Sequence, residues 1–202
     1  MNAPPPKTDF VQANGLRLHY LDWGGSGDTM LLLPGFGDSA HIFDSLAPNF
    51  THRFRVLGLT RRGHPGSDTP DIGYDVNTLA EDIHQFLNEL HIDRVLLTGH
   101  SMAGCEMTLF AAVHPARTIG LVYLDAAYDR TEVPAILAQD PCANVSPPES
   151  EKEIHASVDA YLAHLLRMWP PYLDVWSDLL DREFRRQIAV QPDGAVTDLM
   201  PP

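Results

Sequence analysis

The sequence has few cysteines, few basic residues and no long apolar run. Its 202 residues include two cysteines, Cys105 and Cys142, so we expect no disulfide framework and a reduced, cytoplasmic protein. Apolar stretches such as residues 30–33 are far too short to cross a bilayer, and the first seven residues lack the apolar segment of a secretory signal. The ten histidines occur in neither a paired-cysteine nor a His-Glu-x-x-His pattern. We therefore expect no metal and no cofactor.

The charge balance is strongly acidic, with 27 acidic against 14 basic residues and a formal net charge of −13. A surface of this sign repels nucleic acid and anionic lipid headgroups, so neither is an expected partner. The content of hydrophobic residues, 44%, and the length suit one globular domain with a substantial core, with room for a small insertion.

Strand and helix signals alternate through the first 128 residues. Asn14-Gly15 predicts a hairpin between strands at 10–13 and 16–21, and the apolar run 30–33 predicts a strand buried on both faces. Further strands are predicted at 55–59, 94–98 and 119–124, and helices at 40–46, 76–90 and 101–114, with Asn77 or Asp75 as the cap of the second helix. The pattern predicts an α/β fold: a mixed, mostly parallel sheet with helices on both faces.

The composition changes after about residue 129. Several prolines and helical stretches near 149–168 and 173–190 replace the alternation, and no strand signal is evident before residue 202. We therefore predict a core over 1–128 and a helical insertion, or cap, over 129–202 that lies on the sheet.

A candidate nucleophile follows the strand at 94–98, in the segment Gly99-His100-Ser101-Met102-Ala103-Gly104. A nucleophile on a sharp strand-to-helix turn projects clear of the sheet, and the strained turn requires small residues such as Gly99 and Ala103 around it. The helix N-terminus also stabilises developing negative charge. The alternative is a serine that merely caps the helix. The context favours the nucleophile.

A candidate oxyanion hole involves the loop 34–37, after the strand at 30–33. Acyl transfer needs two donors aimed at the oxygen that becomes negative, and we expect the backbone amides of Phe36 and Met102 to provide them. An ordinary glycine-rich turn is the alternative for this loop.

Four segments together resemble the α/β-hydrolase superfamily, in its esterase-like branch with a serine nucleophile and a helical cap. They are residues 31–39 (LLLPGFGDS), 61–68 (RRGHPGSD), 98–104 (TGHSMAG) and 121–127 (LVYLDAA). The resemblance covers residues 10–128. Serine at 101 argues against the epoxide hydrolase and haloalkane dehalogenase relatives, which form their ester intermediate on a carboxylate.

The resemblance also implies two more strands after the cap, with the catalytic histidine after the last. We therefore expect the histidine beyond residue 202, in a chain truncated at its C-terminus. None of His64, His100, His155 or His164 is expected to replace it, the last two because they lie on one cap helix. Asp125, at the end of the strand 119–124, is a candidate triad acid, with a structural turn former as the alternative.

Two hypotheses follow. The first is a serine hydrolase that acts on a small-molecule ester or related acyl substrate through an acyl-enzyme. Amidase, proline aminopeptidase, carbon–carbon bond hydrolase and cofactor-free perhydrolase activities are left open within this class. Trp169, Tyr172 and Trp176 are candidates for an apolar wall. The second is an inactive truncated fragment or a non-catalytic small-ligand-binding remnant, in which 119–124 becomes an exposed edge strand. The oligomeric state is left open.

Overall fold

The computed structural model of the chain describes residues 4–126, 154–168 and 176–199. Six of its strands form one sheet in the order β1-β2-β4-β3-β5-β6. The strands β1 and β2 are antiparallel to their neighbours, and β4, β3, β5 and β6 run parallel. The predicted mixed, mostly parallel sheet is confirmed. The strands are β1 (Lys7–Ala13), β2 (Leu16–Gly24), β3 (Thr29–Leu33), β4 (Arg55–Leu59), β5 (Val95–His100) and β6 (Thr118–Leu124).

The hairpin between β1 and β2 turns at Asn14-Gly15, as predicted. Ala13 pairs with Leu16, so the loop has two residues, and both have positive φ, 50° at Asn14 and 77° at Gly15. This is the backbone of a type I′ turn, which matches the twist of the flanking strands.

The two long helices of the core are α1 (Val76–Glu89) and α2 (Ala103–Val113). The helix α1 starts at the predicted cap, because the Asp75 carboxylate accepts hydrogen bonds from the N–H groups of Asn77 and Thr78, each at 3.1 Å. Phe86 of α1 and Phe110 of α2 are fully buried in one cluster against Leu31 and Leu33 of β3.

The opposite face of the sheet is covered by two short 3-10 helices, Ala40–Phe43 and Ala47–Phe50. The buried Phe43 and Ala47 pack there against Met30 and Leu32 of β3. The prediction of one helix over 40–46 was therefore wrong. The strand β3 is buried on both faces, as its apolar run predicts.

The C-terminal part contains a second, smaller sheet that sequence analysis did not predict. Its strands are β7 (Ile154–His155), β8 (Ile188–Val190) and β9 (Val196–Asp198), in the antiparallel order β7-β9-β8. The expectation that no strand follows residue 124 was wrong, because strands of two or three residues are shorter than any periodic pattern can reveal.

Two helices accompany this sheet, α3 (Val158–Met168) and α4 (Asp178–Arg186). Both are shorter than the helices predicted over 149–168 and 173–190, because β7 precedes α3 and β8 follows α4. Their shared core contains Tyr161, Leu162, Ile188 and Val196. The division of the chain at residue 128 stays a prediction. Cys142, Trp169 and Tyr172 lie outside the described residues, and Trp176 stacks on Phe184 at 5.5 Å.

Candidate active site

Ser101 lies on the tight turn that joins β5 to α2. Its φ is +53°, in the left-handed region that residues other than glycine rarely adopt. Its N–H donates to the Leu124 carbonyl at 3.2 Å, and its own carbonyl accepts from Gly104 N at 3.0 Å, so the strained backbone is fixed on both sides. The side chain is partly exposed. This strand–turn–helix geometry is the one expected for a nucleophile elbow.

The residues around this turn have no room for larger side chains. A Cβ at Gly99 would lie 2.7 Å from Met107 Sδ and 2.9 Å from Ala103 Cβ. A Cβ at Gly104 would collide with the Ala126 carbonyl oxygen. Packing against α2 and the end of β6 therefore requires glycine at positions 99 and 104.

The loop 34–37 lies directly beside the turn. Leu33 of β3 pairs in parallel with Gly99 of β5, so the two chain segments leave the sheet at the same edge. They touch there, because a Cβ at Gly35 would lie 2.7 Å from the Nδ1 atom of His100. The Phe36 side chain is 56% exposed and meets the His64 ring edge-to-face at 5.9 Å between centroids. Met102, whose amide is the second predicted donor, is partly exposed.

A buried ion pair lies next to both segments. The Nε atom of Arg61 donates to Glu106 Oε1 at 2.6 Å, and its Nη1 atom donates to the Gly35 carbonyl at 3.3 Å. Arg61 is 3% and Glu106 1% exposed. Burial raises the pKa of the Glu106 carboxyl, and the Arg61 guanidinium opposes that rise. Sequence analysis missed this pair, since residues 45 positions apart share no local pattern.

Asp125 follows β6 immediately and has φ +49°, which aspartate tolerates better than most residues. Because His100 pairs with Leu124, the next residues of the two strands, Ser101 and Asp125, both leave the same end of the sheet. The Asp125 side chain is exposed and takes part in an interaction. This position is compatible with either of the two roles predicted for it.

Each candidate histidine has contacts of its own. His64 is buried with its Nδ1 atom 2.9 Å from the Arg62 carbonyl, and burial lowers its pKa to about 4. The His100 ring lies against Gly35, because a Cβ at Gly35 would come within 2.7 Å of its Nδ1 atom. The prediction that His155 and His164 share one helix was wrong: His155 lies on β7 and His164 on α3, with their rings 5.0 Å apart.

The C-terminal part contacts the loop after β3 through α4. Glu183 Oε1 accepts hydrogen bonds from Ser39 N at 2.9 Å and Ser39 Oγ at 2.5 Å, and Arg186 donates to its other oxygen at 2.9 Å. Gln187 Nε2 lies 3.3 Å from Asp38 Oδ1. Burial, with a smaller effect of the Glu183 charge, raises the pKa of Asp38 to about 6.

A cavity of about 310 Å³ lies beside this contact and is separate from the turn at Ser101. Its lining includes His19, Ser39, His41 and Arg186, which belong to β2, the loop after β3, the first 3-10 helix and α4. Neither Ser101 nor Phe36 lines it, so we do not assign the reacting groups to this cavity.

The match to a family model defines the class of protein. The chain belongs to the alpha/beta hydrolase fold family, whose model matches residues 28–161. Within the described ranges, no helix is long and apolar enough to span a membrane, and no three His, Cys, Asp or Glu residues are grouped to hold a metal ion.

Individual relatives are named hydrolases. The chain is 37% identical over 107 residues to N-formylmaleamate deformylase of Pseudomonas putida, covering 52% of this chain and 40% of that protein. It is 31% identical over 140 residues to 2-(acetamidomethylene)succinate hydrolase of Mesorhizobium japonicum, covering 69% of this chain and 49% of that protein. The chain thus spans about half the length of these curated relatives, or less.

A solved structure resembles the whole described fold. The crystal structure of E-2-(acetamidomethylene)succinate hydrolase aligns with a TM-score of 0.76 at 24% identity, covering 96% of this chain and 69% of that one. At this identity the likeness supports the fold and not the activity.

Proposed function

We propose that this chain contributes the nucleophile and the oxyanion hole of a serine hydrolase that cleaves a carboxylic ester or related acyl substrate. The observation that carries the proposal is the left-handed backbone of Ser101 at the end of β5, directly beside the loop 34–37. Strain of this kind persists where the surrounding structure fixes it, and it is concentrated at active sites.

The reaction proceeds through two acyl transfers. Ser101 Oγ attacks the substrate carbonyl carbon and gives its proton to a base, and the oxygen that becomes negative accepts hydrogen bonds from the Phe36 and Met102 amides. The bond from the acyl carbon to the leaving group then breaks, and the leaving group takes up a proton. Water attacks the acyl-enzyme, releases the carboxylic acid and restores the Ser101 hydroxyl.

The base is a histidine that is not among the described residues. The Nδ1 atom of His64 lies 2.9 Å from the Arg62 carbonyl and the His100 ring packs against Gly35, and we assign the base to neither. Asp125 is the candidate acid that orients the base. It follows Leu124, which pairs with His100 at the end of the sheet where Ser101 lies.

The substrate is an ester or an N-acyl amide of a small molecule. Both named relatives act, by their names, on amides that also carry carboxylates, N-formylmaleamate and 2-(acetamidomethylene)succinate. We therefore include N-formyl and N-acetyl amides of small carboxylic acids beside p-nitrophenyl esters in the substrate panel.

The test is substitution of Ser101 in the protein expressed from its complete coding sequence. We expect Ser101→Ala to reduce turnover of the best substrate by at least a thousandfold. The matched control is Ser45→Ala. Ser45 is exposed on the turn that follows the first 3-10 helix, so this variant should turn over substrate at the wild-type rate. Equal turnover in the Ser101 variant and the wild type would reject the nucleophile.

A chain without such a histidine is expected to have little activity, since serine is a weak nucleophile without a base. This agrees with the second hypothesis from the sequence, an inactive fragment or a non-catalytic binder. The same substrate panel separates these alternatives. A non-catalytic binder would bind substrate equally well with Ser101 or with Ala at this position, and the protein expressed from the complete coding sequence would turn over none of the substrates.

A further inference from the structure

The peptide unit between Gly35 and Phe36 is held by a side chain from the segment that follows β4. Arg61 lies just after β4, and its Nη1 atom donates to the Gly35 carbonyl at 3.3 Å. The carbonyl of Gly35 and the N–H of Phe36 belong to the same planar unit, in which they point in opposite directions. A hydrogen bond that fixes the carbonyl therefore also fixes the direction of the Phe36 N–H.

The same arginine is fixed relative to the nucleophile. Its Nε atom donates to Glu106 Oε1 at 2.6 Å, and Glu106 lies in the first turns of α2, the helix that begins just after Ser101 and Met102. The ion pair thus links the loop that carries one proposed oxyanion donor to the helix that carries the other.

The pair is poorly suited to a purely stabilising role. Buried ion pairs rarely stabilise a protein more than apolar residues of the same volume would. Among the described residues, Arg61 Nη2 and Glu106 Oε2 have no hydrogen-bond partner although both are buried. The next residue, Arg62, differs. It donates two hydrogen bonds of 2.6 Å, one to each carboxylate oxygen of Asp82, and neither bond involves the loop 34–37.

We propose that Arg61, held by Glu106, is a positioning residue that aims the Phe36 N–H at the oxyanion. This inference rests on the proposed function. The guanidinium charge on the Gly35 carbonyl also polarises the amide, which makes the Phe36 N–H a stronger donor.

The test removes the pair without leaving a buried charge alone. In the protein expressed from its complete coding sequence, we expect the double variant Arg61→Met with Glu106→Leu to lose about tenfold to a hundredfold in kcat with KM within twofold, since the oxyanion donor acts in the transition state. The single variant Arg61→Lys retains a cation and a hydrogen-bond donor beside Glu106, so its kcat should lie between that of the double variant and that of the wild type. The matched control is Arg62→Met with Asp82→Leu, which removes the neighbouring buried pair and should leave kcat within threefold.

A second measurement does not depend on turnover. In the same protein as used for the kinetics, the amide resonance of Phe36 should shift in the Arg61→Met, Glu106→Leu variant and not in the Arg62→Met, Asp82→Leu variant. An unchanged kcat in the folded first variant, or an unmoved Phe36 resonance, would overturn the positioning role and leave Ser101 as nucleophile. Full turnover in Ser101→Ala would instead reject the proposed function, and the resonance would still test the contact between Arg61 and this peptide.

Discussion

Glu183 and Ser39 are 144 residues apart in the sequence and joined by two hydrogen bonds, from the Ser39 N–H and the Ser39 hydroxyl to the same carboxylate oxygen. Both residues are almost completely buried. The contact ties α4 of the C-terminal part to the segment that continues from the loop 34–37.

We expect Glu183→Ala to lower the free energy of unfolding by about 2–4 kcal/mol, because it leaves two buried donors on Ser39 without an acceptor. Urea denaturation measures this value. The control is Asp181→Ala on the same helix, which removes an exposed pair with Arg185 and should change the value by less than about 1 kcal/mol. Equal losses in the two variants would mean that the Ser39 contact adds little to stability.

The left-handed backbone of Ser101 should make this residue a source of instability. A left-handed residue with a Cβ costs about 1–2 kcal/mol, and glycine avoids this cost while losing about 0.5–1 kcal/mol of chain entropy on folding. We therefore expect Ser101→Gly to be about 0.5–1 kcal/mol more stable than the wild type in thermal or urea unfolding. Ser101→Ala keeps the Cβ and should show no such gain, and an equal gain in both variants would contradict the strain.

The core sheet and the turn at Ser101 are predictable because their signals are local. Asn14-Gly15 specifies its own hairpin, the apolar run 30–33 requires burial on both faces, and a small–x–Ser–x–small segment after a strand leaves few backbone solutions. In each case neighbouring residues determine the structure, and the prediction needed no knowledge of distant contacts.

The parts that could not be predicted depend on contacts between distant segments. Nothing near Glu106 or Glu183 indicates that Arg61 and Ser39 are their partners. The hairpin between β8 and β9 is different, because its turn Pro192-Asp193-Gly194 is a recognised turn signal that sequence analysis overlooked. The short strands beside it gave no periodic pattern to draw attention to that turn.

Asp38 should destabilise the fold as pH rises through about 6. Its pKa in the folded state is raised from 3.8 to about 6, so folding favours the protonated form, and this contribution is complete below pH 3.8 and lost above pH 6. We expect Asp38→Asn to be about 1–3 kcal/mol more stable than the wild type at pH 8, with the difference vanishing near pH 4. Urea unfolding at the two pH values measures it. An equal gain in unfolding free energy at pH 8 and pH 4 would mean that the substitution acts through packing and not through the Asp38 charge.

His19 should have the opposite dependence on pH. Burial, with smaller effects of the nearby His41, Arg186 and Arg17, lowers its folded-state pKa to about 4, so the unfolded chain takes up a proton below pH 6.5 that the folded chain cannot. Stability should fall as pH falls from 6.5 to 4, by up to about 3 kcal/mol from this residue.

The variant His19→Asn isolates this contribution, since the amide can still hydrogen-bond to the Thr60 hydroxyl, which lies 2.8 Å from His19 Nδ1. We expect its unfolding free energy to change less between pH 7 and pH 4 than that of the wild type. The exposed His52→Asn is the control and should keep the wild-type profile. Identical profiles for all three proteins would show that His19 does not resist protonation.

The edge strand β6 should make the 202-residue chain associate with itself. In the part of the chain that the structure describes, β6 pairs with β5 alone, its residues 118–124 include no charge, and Val122 is 38% exposed. The opposite edge, β1, carries Lys7 and Asp9, which oppose pairing with another strand.

We expect light scattering to detect oligomers of the wild-type chain. The substitution Val122→Lys should shift the population of the chain toward the monomer. Thr8→Lys places the same charge on β1 and should have no effect. A wild-type chain that is monodisperse and monomeric at high concentration would show that the β6 edge is covered.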